Sequence, residues 1–176
     1  MPFSPYAPTI MKPLITLEDK DAYRKRLFGV VKHIENVNEA AKILAERMID
    51  HAETQEELDT ARRLIQRARR HDLSKFEGIE WTSLHPEGEE MLPIAIDQHQ
   101  QTNDHHPEYF VGGVAQMNDL QIAEMVCDWK ARSTEFGSDL RIWIKDEASK
   151  KYDFSLKSGI YKKIKKFVEL LLQDKF

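Results

Sequence analysis

Cysteine is almost missing from this chain. Cys127 is the only one in 176 residues, so no intrachain disulfide can form and a reducing, cytoplasmic setting is expected. Long apolar runs are missing too, and none approaches the roughly 20 residues that a bilayer-spanning helix needs. The N-terminus lacks the charged-then-apolar order of a signal peptide. No segment alternates apolar and polar residues as a half-buried strand would, and there is no internal repeat or low-complexity tract. Positive charge is not in excess: 26 Lys and Arg stand against 30 Asp and Glu, a net charge of −4. That argues against a protein that coats nucleic acid through a basic surface. Lys162-Lys163 and Lys165-Lys166 give the last helix a basic side, which reads as a solvated face.

What is present is enough for one domain with a real core, since 41% of residues are apolar and 32% charged. Pro2, Pro5, Pro8 and Pro13 fix φ and withhold N–H donors, so residues 1–15 read as an extended arm ahead of a single domain over 16–176. From Thr16 the pattern is helical. Thr16 with Asp19 resembles an N-cap with an acidic first turn. Leu27, Val30, Val31, Ile34, Val37, Ala41 and Leu44 recur at helical spacing, which predicts a helix over about 17–51 with a bend near Gly29. Thr54 to Glu57 forms a capping-box pattern that opens a second helix, running to about Asp72 with Leu58, Ala61, Leu64, Ile65 and Ala68 inward. A short helical piece is expected at 79–84 and a third main helix from Glu89 to about Gln101. A loop follows over Asn103–Gly113, where Pro107 and Gly112-Gly113 break the pattern. Asn118 or Asp119 caps a fourth helix, closed by Gly137 as a C′ glycine. Ser138 or Asp139 opens another to about Lys151, and Ser155 a last one to about Gln173. The expected fold class is all-α, a helical bundle of about six to seven helices.

Into this frame fall the residues that can do chemistry. His71 and Asp72 stand side by side at a helix end and offer a nitrogen and an oxygen to one cation. His33 lies on the first helix beside its apolar stripe, and Asp128 on the fourth. Helix bundles build metal sites from side chains of facing helices. A set of two imidazoles and two carboxylates suits Mn²⁺, Fe²⁺, Co²⁺, Ni²⁺ or Zn²⁺. The lack of thiolates argues against a closed structural zinc site. His51, at a helix C-terminus, is assigned to that helix end, and His85, before Pro86, to a surface loop.

The order His33, His71-Asp72, Asp128 resembles the HD-domain superfamily of metal-dependent phosphohydrolases. More closely, the chain is similar to a group of small phage and bacterial proteins with HD-type motifs. In these, HDLSKF (His71 to Phe76 here) precedes a histidine-rich stretch (Gln98 to Tyr109) and an EMVxDW segment (Glu124 to Trp129). The resemblance spans about residues 25–145. It implies an all-helical, HD-like domain with a metal site. Relatives with two metals add histidines between the HD pair and the last aspartate. That makes His99, His105 and His106 further ligand candidates, with Asp72 as the bridge. His99 and His105 are six residues apart, so the loop between them would have to fold back, and one ion or two both remain open. Lys75 resembles the lysine of HDxxK motifs that holds a substrate phosphate. Glu124, one turn before Asp128, is a candidate for orienting a histidine.

The expected function is a metal-dependent phosphohydrolase acting on a nucleotide or other small phosphate ester, with Asp72 and Lys75 as catalytic residues. The alternatives are a di-iron oxygenase of HD type and a non-catalytic module in which the metal only holds the fold. The expected partner is a small-molecule phosphate, neither membrane nor nucleic acid, with a homo-oligomer left open.

Overall fold

A computed structural model describes residues 15–83 and 90–173. The proposed arm, apart from Ile15, and His85 lie outside the described residues. Among those described there are helices and turns and no strand, so the protein is an all-α bundle. None of the described helices is long and apolar enough to cross a membrane.

Helix α1 (Leu17–Asp50) starts at a full capping box. Asp19 N–H donates to Thr16 Oγ1 (3.0 Å), and Thr16 N–H donates to Asp19 Oδ2 (2.8 Å). The helix is continuous through Gly29. Its C-terminal part is buried along Val30, His33, Val37, Ala40, Ala41, Leu44, Ala45 and Met48, the three-and-four spacing of one helix face. His51 closes it by donating from Nδ1 to the Arg47 carbonyl (2.8 Å).

Helix α2 (Gln55–Ala68) is capped by Thr54, which accepts from Glu57 N–H. Glu57 completes no capping box: its carboxylate reaches back one residue further, to Glu53 N–H (2.9 Å). Ala61, Leu64 and Ala68 are inward as expected, whereas Leu58 is 37% exposed because it sits on the first turn, ahead of the packed part of the helix. The helix also stops four residues short of Asp72. Asn38 Nδ2 of α1 donates to the Ala68 carbonyl (3.0 Å), satisfying one of the acceptors that a helix end leaves over.

A 3₁₀ turn (Leu73–Phe76) leads into α3 (Gly78–Ser83). Helix α4 (Leu92–Thr102) carries Pro93 in its first turn, a position where its missing N–H is not needed. Two 3₁₀ turns, Pro107–Tyr109 and Gly113–Gln116, occupy the segment expected to be loop and its continuation.

Helix α5 (Asp119–Phe136) is the central one. Asn118 and Gln121 form a capping box, and Gly137, at φ +65°, ends it in the left-handed region. Every residue from Ile122 to Trp129 is buried. Helix α6 (Leu140–Trp143), capped by Asp139, continues through a π-helical turn (Ile144–Ala148) into α7 (Ser149–Lys151). Trp129 packs edge-on to Trp143 (5.1 Å between centroids) and stacks on Tyr152 (5.7 Å). Helix α8 (Gly159–Leu172) is capped by Ser158, three residues later than expected. The segment from Ser155 forms a turn in which Ser158 N–H donates to the Ser155 carbonyl (2.9 Å).

Helices α1, α2, α5 and α8 pack around one apolar cluster running from Val37 to Leu171. Its fully buried members Leu44, Leu64, Ile122 and Ile164 each contribute about 1.5–3 kcal/mol. Within this apolar packing α5 also buries Glu124 and Asp128. Buried carboxylates are costly unless paired, and their partners define the site.

Candidate metal centre

His71 and Asp72 enter the bundle from a turn, not from the end of α2. Asp72 sits at φ +55°, ψ +23°, a left-handed conformation that aspartate tolerates better than most residues but which still carries strain. Leaving α2 at Ala68 and reversing here turns both side chains inward, and each residue is 1% exposed.

Four elements deliver the remaining donors. His33 comes from α1, His99 from α4, His105 and His106 from the turn after α4, and Asp128 from α5. His33 Nε2 lies 3.3 Å from Asp72 Oδ2 and 3.1 Å from Asp128 Oδ1. His71 Nε2 lies 3.4 Å from Asp72 Oδ2 and 3.9 Å from Asp128 Oδ1. On the other carboxylate oxygen, His99 Nε2 and His105 Nε2 lie 3.3 and 3.4 Å from Asp72 Oδ1. The donor atoms of Asp72, His99, His105 and His106 all fall within 4.8 Å of one another. All of the metal-ligand candidates named from the sequence are thus brought together, and the loop after His99 does fold back.

The bonding pattern is the telling feature. His33 Nε2, His71 Nε2, Asp72 Oδ1, His99 Nε2, His105 Nε2, His106 Nε2 and Asp128 Oδ1 are all buried, and none makes a hydrogen bond. They are near one another without being aimed at one another. Metal–ligand bonds of about 2.1 Å place neighbouring ligands about 3.0–3.4 Å apart, the spacing seen around Asp72. An unsatisfied buried polar group costs about 1–3 kcal/mol. A cation that accepts the lone pairs of these atoms removes that cost. The buried His and Asp groups therefore form a cluster that fits a metal ion.

The far edges of the rings strengthen this assignment. His33 Nδ1 donates to Glu135 Oε1 (2.9 Å), His71 Nδ1 to Glu124 Oε1 (3.1 Å), and His99 Nδ1 to Glu80 Oε2 (2.7 Å). A carboxylate behind Nδ1 fixes the ring and directs the Nε2 lone pair inward. His71, His105 and Glu124 also approach one another, but Glu124 faces the outer ring edges and its other oxygen is taken by Arg67. Glu124 therefore supports the histidines and does not join the donor set. Arg67 also holds Asp104, which accepts from Gln121 Nε2 (2.8 Å). This chain of contacts fastens the His105-His106 turn to α2 and α5.

Charge follows the same logic. Burial pushes the Asp72 and Asp128 carboxyls up, but neighbouring histidines, with Lys75 beside Asp72, outweigh it and hold both well below the usual range. Burial likewise pushes His33 down, yet the Asp128 and Asp72 carboxylates prevail and raise it to about 9. In the metal-free protein His33 thus carries a proton that a metal would displace. Burial foremost, then the charge of His105, lowers His106 to about 2, leaving it a neutral donor. Cys127 is fully buried, its thiol pushed well up by desolvation, and takes no part.

Lys75 ion-pairs with Asp72 Oδ2. It also lines a cleft of about 800 Å³ that opens over His33, His99, His106 and Asp128.

A model for a family of unknown function, DUF5662, matches residues 84–174, more than half of the chain. The chain belongs to this family. The DUF5662 match covers His99, His105, His106, Glu124, Asp128 and Glu135, while His33, His71, Asp72 and Lys75 precede it. No curated protein and no solved structure matches the chain.

Sequence reasoning placed Glu124 as a supporting residue and missed Glu80, Glu135, Arg67 and Asp104. Two of these carried a signal. Glu135 lies seven residues after Asp128 and eleven after Glu124, on the same face of α5. Arg67 lies four residues before His71. Glu80 had none, because only the fold of the 73–83 segment brings it to His99.

Proposed function

We propose that this member of DUF5662 is a metal-dependent phosphohydrolase of HD type, in which Asp72 and the donors around its two oxygens would hold two divalent ions, acting on a nucleotide or other small phosphate ester. The observation that carries the reading is the division of orphaned donors between the two oxygens of Asp72. His33 and His71 lie at Oδ2, with Asp128 Oδ1 against both rings, and His99 and His105 lie at Oδ1, with His106 in the same group of donors. The resemblance of the His33, His71-Asp72, Asp128 order to the HD superfamily adds to it. When bound, such ions supply Lewis acidity, lower the pKa of a water and offset charge on phosphoryl oxygens.

The chain's own residues supply the rest. Glu135, Glu124 and Glu80 hold the imidazoles in register. Lys75 pairs with Asp72 and lines the cleft, where its ammonium would hold a substrate phosphate. Arg132 stands at the same wall and adds positive charge for an anion. Purified protein supplied with Mn²⁺ or Co²⁺ is expected to release phosphate from at least one of a panel of mono-, tri- and cyclic nucleotides. No turnover across that panel would count decisively against the reading.

The imidazole-rich Oδ1 side favours one second reading, a di-iron oxygenase. Two irons per chain together with O₂ consumption would select it.

A further inference from the structure

The cleft over the centre is built from three helix faces, and they differ in chemistry. The α1 wall presents Lys25, Arg26, Gly29, Val30, Lys32 and His33 in succession, after Ala22. The facing walls bring Ile96 from α4, and Arg132 and Phe136 from α5. The inner end is polar and holds the unpartnered, buried atoms of His33, His99 and Asp128. Ile96 is 41% and Phe136 76% exposed, which gives the cleft an apolar edge.

Gly29 is the informative residue. It stands inside α1, where glycine is worse than alanine because it loses more backbone freedom on folding. Nothing in the structure demands it. Its φ is not in the left-handed region, and a Cβ built there meets no atom within 4 Å. Its one visible consequence is room in the cleft that His33, Ile96 and Phe136 also line.

We infer that Gly29 sets the width of a subsite for an apolar or planar organic group, so that the substrate is an organic phosphate ester whose non-phosphate part lies between Gly29 and Phe136. This rests on the phosphohydrolase reading, which assigns the phosphate to the inner end. Lys25 and Lys32, for which no ion pair exists among the described residues, flank that subsite and favour an anionic ligand. The apolar edge then distinguishes an ester with a sizeable organic group from a bare phosphate.

The test uses phosphonates, whose C–P bond resists hydrolysis, titrated calorimetrically into the full-length manganese-loaded protein. Phenylphosphonate should bind at least tenfold tighter than methylphosphonate. Gly29→Leu should bring the two within about twofold while keeping its metal content and a melting temperature no lower than the parent's. Phe136→Ser, at an exposed position where folding is not at risk, should reduce the preference severalfold. No preference in the parent, or an unchanged preference in a folded, loaded Gly29→Leu protein, would overturn the inference while leaving the phosphohydrolase reading intact. Failure of both phosphonates and of inorganic phosphate to bind the parent would instead remove that reading, and this inference with it.

Discussion

The two sides of Asp72 are built differently. On the Oδ2 side, two of the three donors, His33 and Asp128, project from α1 and α5, the two longest of the described helices, and His71 comes from the turn next to Asp72 itself. On the Oδ1 side, His99 comes from the shorter α4, and His105 and His106 from a turn. A donor on a core helix is positioned by packing of the whole bundle. One on a turn is positioned by the few bonds that tie the turn down, here Asp104 to Arg67 and Gln121. Core helices open only near global unfolding, whereas turns open locally at much lower cost. The Oδ2 side is therefore the preorganised half of the centre, and the Oδ1 side the adaptable half.

The sharpest way to break this contrast is to remove the residue both halves share. Asp72→Ala should abolish binding at both sides and lower turnover by at least about a thousandfold. Elemental analysis should find less than a tenth of the parent's metal. Retention of a full ion would show that the halves do not depend on a common carboxylate, and retained activity without metal would favour the non-catalytic role for the ions. The αL backbone at position 72 is also disliked by alanine, at about 1–2 kcal/mol. Asp72→Asn, which tolerates that conformation, separates ligand loss from backbone strain.

Next in size is the contrast itself. Graded chelation of loaded protein should release metal in two steps, the Oδ1 side first. His106→Ala should erase the first step and leave the second, whereas His33→Ala should weaken the second. A single step in the parent, or loss of both in His106→Ala, would show the halves to be one cooperative unit.

The supporting carboxylates come next. Glu124→Gln and Glu80→Gln keep shape and remove charge, and each should weaken metal binding about 10–100-fold. Glu124 serves the Oδ2 side through His71 and also holds Arg67, while Glu80 backs His99 and accepts from Ser74 Oγ (2.8 Å) but touches no ring of the Oδ2 side. Glu124→Gln should therefore loosen both steps of release and Glu80→Gln only the first.

The same contrast explains what could be read in the sequence. The helices and most of their caps were legible because apolar spacing and cap chemistry are local. His33, Asp72 and Asp128 were legible through motif order on such helices. The end of α2 was not: the helical pattern of Leu64, Ile65 and Ala68 runs on, and only the packing of α1 against Ala68, with the reversal at Asp72, stops it. The return of the His105-His106 turn was equally hidden, since it depends on Arg67 and Asp104, 37 residues apart. The π-helical turn at Ile144–Ala148 left no mark in the pattern either. Glu80 reaches His99 through a fold of short 3₁₀ and α turns that no periodicity announces.

The smallest effect expected is at Asn38, and it tests whether the preorganised half owes its order to the bundle. Asn38 Nδ2 donates to the Ala68 carbonyl (3.0 Å) and to the Ile34 carbonyl (2.8 Å), so it clamps the end of α2 just before the His71-Asp72 turn. Asn38→Ala should cost about 1 kcal/mol of stability, the usual worth of such a bond, read as a fall of a few degrees in melting temperature. Because the clamp lies upstream of His71, the variant should also weaken the second, tighter step of metal release by a factor of two to three, roughly what a few tenths of a kcal/mol of added disorder at a ligand produces. The first step should stay unchanged. A loss of stability with both release steps intact would mean that the turn at Asp72 is held by its own ligands, and the order of the Oδ2 side would then come from the metal more than from the helices around it.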